Sequence, residues 1–299
     1  MIVNLPSEFT KNTMGYLLNQ VIDHEIEPKD KEIEFDFNYL NVFIEPSGVT
    51  ILSNLFEWLK KKGVDTYILH PDGFILKGPL KYLDDSRFFE KYVGEKLNES
   101  SRPRTTTFPL ESVQYNHSPA LLELRFIPWL SRRLNVNAKS LIDIKICLEE
   151  IFNNINDHAH ENTGCIYAQH YPNKDNENKV VIAISDFGVG IPYNIRKVKE
   201  CGDDGETLKE AIKEGVSSRS TPRNRGAGLH TLVKNVVENN GGRVHIHSNN
   251  GILSCYKVNN AMEVHDSNSD SFYPGTFIEI QLMVNNIEFI EDDEEEFEW

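Results

Sequence analysis

Residues 146–160, ICLEEIFNNINDHAH, contain Glu150, Asn154 and His158 at intervals of four. An α-helix has 3.6 residues per turn, so this spacing places the three side chains along one face, with a drift of about 40° per step. A carboxylate that can activate water, an amide oxygen that suits a hard cation and an imidazole then form one row. A solvated polar helix face would show the same pattern, because Asn and Asp also occur at neighbouring positions. The stretch therefore predicts a helix that carries either a polar surface or a site for cation and acid–base chemistry.

A strand that ends in an acid and glycines follows along the chain. Residues 180–192, VVIAISDFGVGIP, begin with an apolar run rich in Val and Ile, which predicts a buried strand ending at Asp186. Gly188 and Gly190 allow a tight turn and the close approach of a flat ligand. The carboxylate can accept a hydrogen bond from an exocyclic amine such as that of adenine. The alternative is an ordinary Asp/Gly turn that closes a strand.

A third segment, GVSSRSTPRNRGAGL at residues 215–229, combines small and basic residues ahead of a helix predicted from about Leu229 to Asn239. The N–H groups and the dipole at the start of a helix attract anions, and guanidinium groups bind phosphate. The segment therefore predicts either a loop that closes over phosphates or a flexible surface loop. The residues concerned are Arg219, Arg223, Arg225, Gly226 and Gly228.

The motifs occur in a defined order along the chain. They are Glu150-xxx-Asn154-xxx-His158, Asp186-x-Gly188-x-Gly190-Ile191, Gly226-x-Gly228-Leu229 and Pro274-Gly275-Thr276. This order, over about residues 113–287, resembles the GHKL ATPase superfamily, which includes histidine kinases and DNA gyrase. Four motifs in this order are far more specific than any one of them. The first motif and the helix predicted before it, at residues 119–134, are most similar to the anti-sigma-factor kinase branch.

The resemblance implies a role for each of these residues. Glu150 would orient or deprotonate the attacking water or hydroxyl, Asn154 would ligate Mg²⁺ through its amide oxygen, and His158 would lie near the phosphates or the lid. Asp186 would bind the adenine amino group, with support from Thr276. The other expected ATP contacts are Gly188, Gly190, Ile191, Gly226, Gly228 and Leu229. Arg219 is also expected to contact ATP, but only because of its positive charge.

The N-terminal part of the chain has a different pattern. Residues 32–68 predict a strand, a turn at Pro46-Ser47-Gly48, an amphipathic helix and another strand. Over about residues 1–95 this resembles STAS domains. The serine that is phosphorylated in such domains is replaced here by Pro46, so a phosphoswitch at the usual position is not expected. Ser47 is expected to cap the helix, with its modification as an open alternative.

The predicted fold class is α/β with two domains, because 299 residues suffice for two cores. Residues 1–95 would form a small mixed sheet with helices, and residues 113–287 a Bergerat-type two-layer sandwich of a mixed sheet with helices on one face. Residues 96–112, polar and proline-bearing, are expected to be a linker. Strands are predicted at residues 164–171, 179–186, 243–248, 253–258 and 276–283, and a flexible loop at residues 259–273.

The chain is acidic, with a formal net charge of −15. Residues 288–299, EFIEDDEEEFEW, are expected to be a solvated acidic tail, with docking to a basic partner as the alternative. The one cluster of Lys and Arg is the predicted loop, so nucleic acid is not an expected ligand. The sequence shows no signal peptide and no apolar stretch of membrane-spanning length. The expectation is therefore a cytoplasmic protein without a membrane partner.

The cysteines and histidines show no clear metal-binding pattern. Cys147, Cys165 and Cys255 lie in apolar segments and are expected to be reduced core thiols. His245 and His247 alternate on a predicted strand, which places them on one face. Because no third ligand lies nearby in the sequence, a half-exposed strand is favoured over a metal site.

The expected function is an intracellular regulatory protein that binds and slowly hydrolyses Mg-ATP, and couples its nucleotide state to a protein partner or a homodimer. The alternative is a serine/threonine protein kinase of the anti-sigma-factor type, acting on a separate protein. The sequence leaves open whether the chain is an enzyme or only a switch. A histidine kinase is disfavoured, because the nearest candidate histidine, His117, lies before Ser-Pro at a predicted helix start.

Overall fold

The computed structural model describes residues 1–69, 78–158, 163–174, 177–216 and 228–290, without the side chains of residues 115, 154–158, 163, 173 and 174. Within these residues the chain is a mixed α/β protein. The strands are β1 (Ile2–Asn4), β2 (Glu8–Phe9), β3 (Glu32–Asp36), β4 (Phe43–Ile44), β5 (Asp65–Leu69), β6 (Thr107–Gln114), β7 (Thr163–Lys174), β8 (Glu177–Asp186), β9 (Arg243–Val258) and β10 (Ala261–Met283).

The α-helices of the described residues are α1 (Met14–Val21), α2 (Pro46–Lys61), α3 (Gly78–Asp85), α4 (Phe88–Tyr92), α5 (Ser118–Leu121), α6 (Ile127–Leu134), α7 (Ile142–His158), α8 (Ile191–Arg196), α9 (Asp204–Ala211) and α10 (Gly228–Val233). π-Helical turns at Leu122–Phe126 and Lys234–Asn239 extend α5 and α10. Short 3₁₀ turns lie at Tyr115–His117, Ala138–Leu141 and Val284–Asn286. The helices predicted at residues 119–134 and 229–239 are confirmed. The helix predicted at 146–160 is confirmed as far as His158, and residues 159 and 160 lie outside the described residues. None of the described helices has the length and apolar character needed to cross a bilayer.

The N-terminal region, residues 1–95, contains a three-stranded sheet with the order β1-β3-β5. Both pairings in this sheet are parallel, and β2 and β4 form a separate parallel pair. The mixed sheet predicted for this region is therefore wrong for the described strands. The reason is that α1 and α2 act as crossovers, each of which returns the chain to the same end of the sheet.

The second sheet has five strands in the order β6-β7-β8-β10-β9, and every neighbouring pair is antiparallel. The predicted pairing of β7 with β8 is confirmed, with Gly164 opposite Asp186. The mixed sheet predicted here is wrong, because hairpins join β7 to β8 and β9 to β10. The two strands predicted at residues 243–248 and 253–258 are parts of one continuous strand, β9.

The loop predicted at residues 259–273 is also wrong. Strand β10 begins at Ala261 and pairs with β9 from there to Asn268, and again from Tyr273. Asn259 and Asn260 form the turn with φ angles of +51° and +65°, a left-handed conformation that Asn adopts more readily than most residues. The polar composition of this stretch therefore belongs to a solvated β-hairpin.

Residues 107–112, at the end of the predicted linker, form part of strand β6. Strand β6 begins at Thr107, which lies opposite Gln169 of β7. Phe108, Leu110 and Val113 are buried in the two hydrophobic cores next to the sheet. Burial of these apolar side chains outweighs the polar average of the segment and makes it an edge strand.

The five-stranded sheet is covered on both faces, whereas helices were expected on one. Val180, Ile182 and Ile184 of β8 belong to a core with residues of α7 and α10. Ala183 belongs to a second core formed mainly by the N-terminal region, whose helices α1 and α2 pack against β10, β7 and β8. A strand with both faces buried shows a continuous apolar run, as residues 180–184 do.

The predicted amphipathic helix is confirmed as α2, and most of it is buried. Every residue from Pro46 to Phe56 is buried. The Phe56 ring lies 4.7 Å from the Phe35 ring of β3, between ring centroids, while the Thr50 hydroxyl donates to the Ala183 carbonyl of β8 at 3.4 Å. The helix therefore lies between the two sheets and joins them into one core.

The cap predicted at Ser47 is wrong as well. Helix α2 begins at Pro46, whose fixed φ suits the first helical position, and the N-cap residue is Glu45. Ser47 lies inside the first turn, where its hydroxyl donates to the Glu45 carboxylate at 3.4 Å. Because Ser47 is fully buried, a modifying enzyme could not reach it in the folded protein.

The substitution Gly48→Ala tests this packing. Alanine favours a helix over glycine by about 1 kcal/mol. A Cβ at this position, however, would lie 2.7 Å from the Phe9 carbonyl oxygen and 2.9 Å from Ile44 Cγ1. We expect the free energy of unfolding, measured by urea denaturation, to fall by about 1–3 kcal/mol. The control Lys60→Ala, at an exposed position of α2, should change it by less than about 0.5 kcal/mol. Stabilisation by Gly48→Ala would contradict the packing described here.

Candidate functional site

Four strands place small and polar residues in one row across the sheet. Gly164 of β7, Asp186 of β8, Thr276 of β10 and Ser248 of β9 are successive Cα partners. Alternate residues of a strand share a face, so Asp186 points to the same side as Ile184, which belongs to the core with α7 and α10. The row therefore lies on the face that these helices cover, at the end of the sheet where β8 ends.

The loop after β8 is held against this row by hydrogen bonds from its backbone. The Gly188 N–H donates to Asp186 Oδ1 at 2.7 Å, and the Ile191 N–H at the start of α8 donates to Ser248 Oγ at 2.9 Å. Gly190, between them, has a φ of +83°, and a Cβ there would lie 1.9 Å from a side-chain oxygen of β9. Glycine is therefore required at this position for both its conformation and its close contact with β9.

Gly275 brings β10 equally close to the loop. Its φ is +96°, and a Cβ would lie 2.4 Å from the Asp186 carbonyl oxygen and 2.5 Å from the Gly188 nitrogen. The Gly275 carbonyl accepts a hydrogen bond from the Ser248 hydroxyl at 2.6 Å, and Ser248 Oγ lies 3.1 Å from Thr276 Oγ1. The structure thus brings together Asp186, its loop glycines and Thr276, which the sequence places in separate motifs.

Ser248 is a site residue that the sequence analysis missed. It is fully buried and links α8, β9 and β10 through its single hydroxyl. The available signal was its position at the end of the strand predicted at residues 243–248. That signal is weak, because only the strand register shows that this end lies beside Asp186.

The acid–amide–imidazole motif lies on α7, as predicted. Glu150 is half-buried, whereas the side chains of Asn154 and His158 fall outside the described residues. Helix α7 packs against α10, where the Cys147 thiol donates to the Thr231 carbonyl at 3.9 Å. Because Glu150 follows Cys147 by about one helical turn, it lies on the same side of α7 as the residue that contacts α10.

The remaining predicted contacts are partly described. Gly228 and Leu229 begin α10, and Leu229 packs against the same core as Ile191 of α8. The starts of α8 and α10 therefore lie on the same side of the sheet. Arg219 and Gly226, together with Arg223 and Arg225, fall in residues 217–227, which lie outside the described residues, as do residues 291–299 of the predicted acidic tail.

The predicted core thiols are confirmed. Cys147, Cys165 and Cys255 are buried, and all four cysteines of the chain are free. Burial raises the pKa of the Cys147 thiol to about 11 and that of the Cys165 and Cys255 thiols to about 12. These thiols are therefore protonated at neutral pH, which makes them poor nucleophiles and poor metal ligands.

His245 and His247 share one face of β9, as predicted. The half-exposed strand that was expected holds at His245, which is half-buried, but is wrong at His247. This face is covered by the N-terminal region, so His247 is only 3% exposed. Burial lowers the pKa of His247 from 6.5 to about 4, against the opposing effect of hydrogen bonding to the backbone of Ser271 and Asn249. In the described part of the chain, no group of three or more His, Cys, Asp or Glu side chains could hold a metal ion.

Two cavities, of about 170 and 80 Å³, lie on this second face of the sheet. Both are lined by Glu279 and Gln281. Glu279 is 2% exposed and forms an ion pair with Lys11 at 2.7 Å. Asp186 lines neither cavity, so the site around it is defined by strand register and hydrogen bonds.

No protein-family model matches the chain, and no curated protein matches it significantly. A function for the chain is therefore inferred from its own residues.

The buried histidine predicts a loss of stability in mild acid. The folded protein holds His247 neutral down to about pH 4, whereas the unfolded chain binds a proton below about pH 6.5. The unfolded state therefore gains protons first, and His247 should lower the free energy of unfolding by about 2–3 kcal/mol between these pH values. Urea denaturation across this range should show a shallower pH dependence for His247→Asn. The control His24→Asn, at a side chain that is 90% exposed, should retain the wild-type slope. Equal slopes in all three proteins would contradict the assignment.

Proposed function

We propose that the chain is an ATP-binding regulatory protein of the GHKL type, which binds Mg-ATP, hydrolyses it slowly and couples its nucleotide state to a protein partner or a second copy of itself. The observation that carries this proposal is the strand register. In it, Asp186 of β8 pairs with Thr276 of β10 on one side and with Gly164 of β7 on the other. The β7–β8 hairpin and β10, which are distant in sequence, meet there on the face of the sheet that α7 and α10 cover. Such convergence is typical of a ligand site rather than of a simple turn.

The chemistry of these residues suits an adenine base. A carboxylate accepts hydrogen bonds from an exocyclic amine, and Asp186 is held in place by the Gly188 N–H at 2.7 Å. Gly190 and Gly275 let the loop after β8 pack directly against β9 and β10, which fixes the backbone on either side of the Asp186 carboxylate. In this proposal Asp186 selects the base, and Thr276 and Ser248 fix the strands around it.

The phosphates would lie toward α7 and α10. The start of α10, with Gly228 at its first position, would offer backbone N–H groups to them. Asn154 on α7 is the residue proposed to hold Mg²⁺, which when bound with ATP would neutralise charge on the phosphate oxygens. Glu150, half-buried on the same helix, would accept a proton from the attacking water.

A regulatory role is favoured over simple ATP hydrolysis by the position of the N-terminal region. Its helices α1 and α2 cover the second face of the sheet whose first face would hold the nucleotide. A change on either face can therefore reach the other through one layer of strands. Transfer of phosphate to a serine or threonine of a separate protein stays the alternative, and a turnover assay with added partner would reveal it.

The substitution Asp186→Asn tests the proposed base contact. The variant can still accept the bond from the Gly188 N–H, but it presents an NH₂ group where the base amine would have to donate. We expect the affinity for Mg-ATP, measured by isothermal titration calorimetry, to fall by about 10–100-fold. The control Asp65→Asn, at an exposed edge strand, should bind like the wild type. A wild-type protein that binds no ATP, or an Asp186→Asn variant with unchanged affinity, would overturn the proposal.

The substitution Glu150→Ala separates binding from turnover. Loss of a general base should lower the rate of phosphate release by about 10²–10⁴-fold while ATP still binds. The matched control is Glu149→Ala on the same helix, since Glu149 forms an ion pair with Lys145 at 3.8 Å and has no proposed role in the reaction. Its rate should stay within about twofold of the wild type, because surface ion pairs contribute little. Equal rates in wild type and Glu150→Ala would rule out this assignment of the base.

A further inference from the structure

The residues on either side of Asp186 point to the opposite face of the sheet, where α2 lies. Ser185 is fully buried, and its hydroxyl accepts a hydrogen bond from Asn54 Nδ2 of α2 at 3.1 Å and contacts the Tyr273 hydroxyl. Because alternate residues of a strand face opposite sides, Asp186 faces the proposed nucleotide pocket while Ser185 faces the N-terminal region. A single peptide unit separates these two environments.

Phe187 makes a second contact with the same helix. Its ring centroid lies 5.9 Å from that of Trp58 and 5.2 Å from that of Tyr273. Trp58 follows Asn54 by about one helical turn, so both contacts come from one face of α2. Helix α2 is therefore joined to both sequence neighbours of Asp186.

This packing restricts the backbone at the end of β8. The side chains that connect α2 to this point are all buried, and they are Asn54, Trp58, Ser185, Phe187 and Tyr273. Close-packed interiors have few voids and transmit small displacements from one side chain to the next. A shift of α2 would therefore move the Asp186 carboxylate and change its hydrogen bond with the Gly188 N–H.

We propose that Asn54 and Trp58 are positioning residues for the nucleotide pocket, through which the N-terminal region controls ATP binding. The inference rests on the proposed function. A signal that displaces α2 lowers the affinity for ATP, and bound ATP in turn holds α2 in place. This reciprocity follows because a coupling free energy between two sites is the same in both directions.

The first test measures Mg-ATP affinity by isothermal titration calorimetry in the full-length variants Asn54→Ala and Trp58→Phe. Removing the link between α2 and β8 should weaken binding at least fivefold, the lower end of typical coupling strengths. The matched control is Ser53→Ala. Ser53 is the neighbour of Asn54 and is equally buried, but its hydroxyl bonds to the Tyr92 hydroxyl at 2.6 Å and to the Cys165 thiol of β7 rather than to β8. Its affinity should stay within twofold of the wild type.

The second test uses hydrogen–deuterium exchange of the wild-type protein, which does not depend on the folding of any variant. Mg-ATP should slow the exchange of backbone amides in residues 54–59 of α2, although this helix lies on the far face of the sheet. Amides of α4, at Phe88–Tyr92 in the same region, serve as the reference and should change less. A purely structural role for α2 would give no response to nucleotide.

The outcomes separate this inference from the function on which it rests. If the wild-type protein binds no ATP, the proposed function fails. If it binds ATP, but the Asn54 and Trp58 variants bind like Ser53→Ala and α2 shows no change in exchange, the coupling is refuted while the function stands. Equal weakening in all three variants would indicate general destabilisation and would also refute it.

Discussion

Strand β8 is buried on both faces, and the rest of the structure depends on this constraint. Val180, Ile182 and Ile184 contact the core of helices α7 and α10, while Ala183 contacts the core of the N-terminal region. The backbone of β8 is hydrogen-bonded to β7 on one side and to β10 on the other. The two regions of the chain therefore meet along one strand, which ends at Asp186.

This arrangement explains why the candidate site lies where it does. At the end of β8 the apolar core gives way to Asp186, Thr276 and Ser248, which face the helices. Gly190 allows the loop after β8 to approach β9, and Gly275 allows β10 to approach the same loop, without side chains between them. A polar row at the end of an apolar core, next to the start of α8 and on the face that carries α10, is a setting suited to a ligand with a flat polar ring and negative charge.

Local sequence patterns predicted the elements of the site better than their arrangement. The helix with Glu150 and the strand ending at Asp186 follow from helical spacing and an apolar run, and both are confirmed. The hairpin at Asn259 and Asn260 was missed, because a polar strand resembles a loop until its pairing with β9 is known. The role of Ser248 and the burial of His247 were missed for a related reason, since both depend on which region covers each face of the sheet.

The most direct test of this account is an experimental structure of the protein with Mg²⁺ and a non-hydrolysable ATP analogue. The amino group of the base should donate to the Asp186 carboxylate, on the face of the sheet that carries α7 and α10. The phosphates should lie near the start of α10. A base bound elsewhere, such as in the cavities beside Glu279 on the opposite face, would contradict it.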